Sequence, residues 1–232
     1  MTDSYAVAAL AGLVVAALIT AIAFSSSPWV QKLLLGIDLL STRVGQLFSW
    51  CIIILTGVIT YEVVMRRFFS APTNWGYDVS YMLYGTLFMT AGAYALSRNG
   101  HVRGDFLYRM MSPKRQASLD LALFIIFFFP AIFAFMISGY HFFELSYFQD
   151  ERSAFSPGGP RIWPFKMLIP FVGLLLLLQG IVEVVRCVRT IREGHWPQRL
   201  SDVEELEQKI LAEAAEKGAE QLAAEMSGKG VR

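Results

Sequence analysis

Five runs of about 20 apolar residues, nearly free of charge, constrain this chain more than any other feature, because that length of helix crosses the hydrocarbon of a bilayer. They cover residues 5–24, 48–65, 77–96, 119–143 and 165–185. Glu62 lies near the end of the second and Asp78 at the start of the third. Pro130 interrupts the fourth, and Lys166 and Glu183 stand near the ends of the fifth. Only 17% of the residues are charged, and those are clustered between the runs, whereas a soluble domain carries about a quarter. The expected fold is an all-α polytopic membrane protein. It has four core transmembrane helices and an extra N-terminal span, with an amphipathic helix and a C-terminal helix outside the hydrocarbon.

The first run also has the length of a signal peptide, and Ala21-Ile22-Ala23 could serve as a cleavage site. A signal peptide needs a basic start, however, and the first 31 residues hold no Lys or Arg. An uncleaved span is therefore the expectation for residues 1–31. Residues 32–47 are too polar to cross. Leu33, Leu34, Ile37, Leu40 and Val44 recur at helical spacing, with Asp38, Thr42 and Gln46 on another face. This predicts an amphipathic helix in the membrane interface, or the polar start of the next span continuous with it. The four-helix membrane domain follows over 48–192. In the tail, 193–232, Ser201 and Glu204 form a capping box ahead of a charged, solvated helix.

Orientation follows from basic residues. The links after the first and third runs and residues 186–199 after the fifth carry eleven Lys and Arg. The alternate side carries Arg66, Arg67, Arg152, Arg161 and Lys166. Cytoplasmic loops collect Lys and Arg, so the C-terminus is expected inside. A formal net charge of +1 gives no sign of nucleic-acid binding. Cys51 and Cys187 form no paired motif.

No catalytic signature is present: there is no HExxH, GxSxG, P-loop or GxGxxG in a strand–helix setting. His101, His141 and His195 lie near or beyond the ends of the runs, so no facing pair suits a haem. The chain is expected to be neither an enzyme nor a cofactor carrier. Charges near apolar runs are the candidates for function. Glu62 and Arg66 are four residues apart and can pair. Arg67 adjoins them, and Asp78 is placed to pair with Arg66 or Arg67 across the link. Gln179 is expected to hydrogen-bond between helices. Glu144 and Glu183 are expected to be solvated at helix ends. No charge is expected at mid-membrane, which argues against a self-contained pump.

One pattern is more specific. It runs Arg98-Asn99-Gly100-His101-Val102-Arg103-Gly104-Asp105, after a small and aromatic span end and before Ser112-Pro113-Lys114-Arg115. Arg66-Arg67-Phe68-Phe69 precedes the short link to Asp78, and Pro157-Gly158-Gly159 leads through Arg161, Trp163 and Pro164 into the last span. Over roughly residues 33–192 this resembles the small membrane subunit of tripartite ATP-independent periplasmic (TRAP) transporters, the DctQ-like family, in its mannitol, chloroaromatic or 2-oxo acid branch. Many members carry Glu where Asp78 stands and a hydrophobic residue where Gly104 stands. The resemblance implies a scaffold in a bacterial inner membrane, beside a large DctM-like permease and a DctP-like binding protein. The transporter would import an organic acid with sodium, and Arg98, His101, Arg103 and Asp105 would order the cytoplasmic loop or contact lipid phosphate. The competing reading is a membrane scaffold or assembly factor unrelated to transport.

Overall fold

In the computed structural model, the described residues are 12, 27–98, 108, 110–156, 158–197 and 199. The expected first span, His101, Arg103 and Asp105 of the basic loop, Pro157 and the tail helix lie outside them. Residues 1–197 form one compact unit, and residues 198–232 a second.

Among the described residues the fold is all-helical, with one isolated bridge between Arg152 and Arg161. Helix α1 is Pro28–Ser49, α2 Cys51–Phe68 and α3 Gly76–Ser97. Helix α4 is Pro113–Leu123, and it runs through a π-helical turn, Phe124–Phe128, into α5, Phe129–Phe148. Helix α6 is Trp163–Glu193.

The elements begin and end for local reasons. Prolines stand in the first turns of α1, α4 and α6, where the missing N–H would have no partner anyway. Pro130 offers no N–H to the carbonyl four residues back, and the wider π turn just before it takes up the misfit. Gly194 ends α6 in the left-handed conformation, φ 82°, with its N–H on the Thr190 carbonyl at 2.8 Å.

Helix α1 joins α2 with only a turn at Trp50, so Pro28–Phe68 is one 41-residue stretch. Of the two forms expected for residues 32–47, the described helix is continuous with the next run. Its faces are placed unexpectedly: Asp38, Ser41 and Thr42 are buried, while Trp29, Leu33, Leu40 and Leu47 are exposed. Among the described residues, three stretches are long and apolar enough to cross a membrane: Pro28–Phe68, Pro113–Phe148 and Trp163–Glu193. Helix α3, with four tyrosines among its 22 residues, is not one of them.

Helix α6 is the axis. Just over half of its most apolar window is buried, against 6% and 11% in the other two stretches. Helix α5 packs along it most extensively, and α1, α3 and α4 also lie against it. Glycines permit these approaches. Gly139 faces Ile169, Gly173 faces Met136 and Gly180 faces Phe128, each with no room for a Cβ. Phe129, Ile132, Leu177 and Val184 form the apolar core of that contact.

Candidate functional site

Buried polar residues gather at the two ends of the bundle. At one end α1 presents Asp38 and Ser41, one turn apart. Antiparallel to it, α6 presents Gln179, Glu183 and Arg186 at spacings of four and three. Ser41 donates to Gln179 Oε1 at 3.1 Å, and Gln179 Nε2 donates to Asp38 Oδ1 at 2.8 Å. Arg186 holds Asp38 with one arm of its guanidinium and Glu183 with the other, the latter at 2.8 Å. No residue of this network is more than 2% exposed. A planar guanidinium suits this task because its fork supplies separate N–H groups to two carboxylates.

Gln179 makes the interhelical bond expected of it. Glu183, expected to be solvated, is buried instead, because α1 lies over the end of α6 that the apolar pattern leaves open. The membrane region therefore does carry a buried charged cluster. By helix rise, Arg186 stands about 31 Å along α6 from Phe165, one hydrocarbon thickness. Counted the same way, Gln179 stands about 21 Å from Phe165, so the network lies along the second half of the apolar run.

At the other end Asp78, fully buried, opens α3. It does not reach Arg66 or Arg67. Its carboxylate accepts hydrogen bonds from Ser153 and Ser156, both in the link between α5 and α6. The Ser156 hydroxyl also lies against the Asn74 carbonyl. Backbone bonds close the link upon itself: Ser153 N–H to the Pro160 carbonyl and Ile162 N–H to the Glu151 carbonyl, both 3.0 Å. Gly159 sits against this clamp. A Cβ there would stand 2.9 Å from Ser153 Cβ and 3.3 Å from Asp78 Oδ2. The Asp78 expectation failed because Arg66 is taken on its own helix, where it meets Glu62 at 2.7 Å as the four-residue spacing predicted. The other Glu62 oxygen accepts the Thr73 N–H at 3.0 Å and the Thr73 hydroxyl.

The remaining candidates are dispersed. Arg161 pairs with Asp150 at 2.8 Å. Trp163 packs edge-on to Tyr147 at 5.4 Å and also meets Phe143. Arg67 is exposed in the last turn of α2. Arg98 caps α3 and lies 5.7 Å from the Tyr94 ring centre. Sequence reasoning missed the roles of Asp38, Arg186, Ser153 and Ser156. A signal existed for the first two, since polar residues one turn apart on two apolar helices imply a shared buried seam.

Lys166, also buried, binds Glu151 and caps the Phe142 ring, 3.7 Å from its centre. The Lys166 ammonium holds the Glu151 carboxyl below its ordinary value of 4.5. The stabilisation is therefore complete above 4.5 and is lost as pH falls through the lowered value. Thermal unfolding in detergent should show a fall in midpoint on acidification through that range. Lys166→Met should show a smaller acid-dependent share. An identical acid dependence in both proteins would exclude the pair as its source.

A family model described as "Tripartite ATP-independent periplasmic transporters, DctQ component" matches residues 55–190, more than half of the chain. No curated protein matches it. The match runs from the second turn of α2 to the last turn of α6. It includes Asp78, the α5–α6 link and the α6 half of the charged cluster, while Asp38 lies upstream of it. This chain belongs to the DctQ component family of TRAP transporters, and as such it is a multi-pass membrane component of a transporter, in a class that is not enzymatic.

Proposed function

We propose that this chain is the scaffold subunit of a TRAP importer, bracing a large DctM-like permease that works with a DctP-like periplasmic binding protein. The observation that carries this is the contrast between α2 and α6. Of the 18 residues of α2 only Leu55 is buried, and Ile52, Ile53, Ile54, Val63 and Val64 face outward. Helix α6 is held internally by charge, hydrogen bonds and close glycine contacts. A stiff body with a broad apolar flank suits a frame against which a moving transport element works.

In this proposal α3 joins the three longer helical stretches as a core span, and the basic links and the C-terminus face the cytoplasm. Substrate recognition belongs to the binding protein. The solute is an organic acid and the driving gradient is sodium, both on the strength of the family resemblance.

The test is co-expression with the neighbouring large subunit, followed by purification in mild detergent and reconstitution. The two chains are expected to purify together, and removal of this one to abolish organic-acid uptake. If it purifies alone and its deletion leaves uptake unchanged, the assignment is wrong.

A further inference from the structure

The groove between the last turns of α2 and the start of α3 is not explained by any role given so far. Its volume is about 830 Å³, within the range of small-molecule sites. It is layered along its length. Ile59 and Val63 line the part lying inward from the end of α2, and Arg66 and Arg67 line the part at that end. Trp75, stacked on Tyr61 at 6.0 Å, stands just before Gly76, another lining residue.

The charges in this groove are not equivalent. Glu62 is engaged on both oxygens, by Arg66 and by Thr73. Arg66 uses one terminal nitrogen for that contact, and a guanidinium has further N–H groups to offer. Its side chain is 69% exposed. Arg67 adds a second exposed guanidinium. Glu62 offsets one of the two positive charges, so the rim is left net positive.

We infer that this groove binds an anionic glycerophospholipid, with its phosphate on Arg66 and Arg67 and an acyl chain over Ile59 and Val63. Arginines at the end of an apolar helix stand at the level of the headgroups, and interfacial aromatics mark the same level. The order of groups in the groove, apolar and then basic, is the order of groups in the lipid. A free phosphate would leave the apolar floor unused.

The experiment uses the full chain in mild detergent, with native mass spectrometry counting bound lipid. Phosphatidylglycerol is titrated in one arm, phosphatidylcholine in a second, and inorganic phosphate is added as a competitor in a third. Phosphatidylglycerol should bind in preference to phosphatidylcholine, and phosphate should not displace it. Arg67→Gln should weaken binding about fivefold, the worth of one arginine at an anionic surface. Val63→Trp, at an exposed position, should block binding by filling the floor without disturbing the interior. Arg161→Gln, outside the groove, should bind as wild type does. Equal binding of the two lipids, displacement by phosphate, or full retention in both groove variants would overturn the assignment. So would loss of the lipid when the large subunit co-purifies, which would assign the groove to protein.

Discussion

Replacing Arg186 by methionine is expected to destabilise the bundle by about 3–5 kcal/mol, the usual effect of removing one member of a buried ion pair. The guanidinium is the cation shared by Asp38 and Glu183, and removing it leaves two carboxylates in a site that is closed to water. Their attraction to Arg186 offsets a desolvation penalty that persists after the cation is gone. Arg186→Lys should recover only part of the loss, because a single ammonium cannot reproduce the fork. Combining Arg186→Met with Asp38→Leu and Glu183→Leu should restore part of the stability, since no charge is left stranded and only the Gln179 amide loses its acceptor. Chemical unfolding in detergent, followed by circular dichroism, measures all three. If Arg186→Met unfolds at the wild-type midpoint, the cluster contributes nothing to holding α1 on α6.

The second large effect is expected at Asp78. Asp78→Ala removes the acceptor of two hydroxyls, and leaving buried donors unmet costs about 1–3 kcal/mol. It also removes an acidic side chain from the first turn of α3, where the helix dipole favours one. The effect should be concentrated in the α5–α6 link. Arg152 and Arg161 lie within that link, so tryptic cleavage there should accelerate in Asp78→Ala while the helices stay protected. Asp78→Asn should fall between, because its amide oxygen still accepts one hydroxyl. Cleavage at the wild-type rate in Asp78→Ala would show that the link is held by its own backbone bonds and not by the carboxylate.

Features with a short range in sequence were legible before the structure. The four apolar runs among the described residues became helices, and Glu62 found Arg66 one turn away. Gln179 was read as an interhelical donor because an amide deep in an apolar run has few other uses. Long-range partners were not legible. Asp78 meets serines 75 and 78 residues away, in a link whose proline and glycine announce only that it is not helical. Glu183 was assigned to water because the pattern shows where apolar residues stop, not what covers the end. Asp38 and Thr42 of the polar face turn inward beside Leu34, while Gln46, Leu33 and Leu40 turn out. An amphipathic pattern gives the same signal for a helix resting on a membrane and for one docked over a buried charge.

That inward face carries a consequence for how the chain is made. Asp38 and Arg186 are 148 residues apart. At a synthesis rate of about 5–20 residues per second, Asp38 waits roughly 7–30 s before its partner exists. Until then Asp38 and Ser41 have nothing from α6 to bind, and the first half of the 41-residue helix has only α3 to pack against. The last described helix to leave the ribosome is therefore the one that closes the charged cluster. A chain stalled before Trp163 would hold α1 to α5 without the helix against which α1, α3, α4 and α5 pack, which is the form a membrane quality-control protease would be expected to meet.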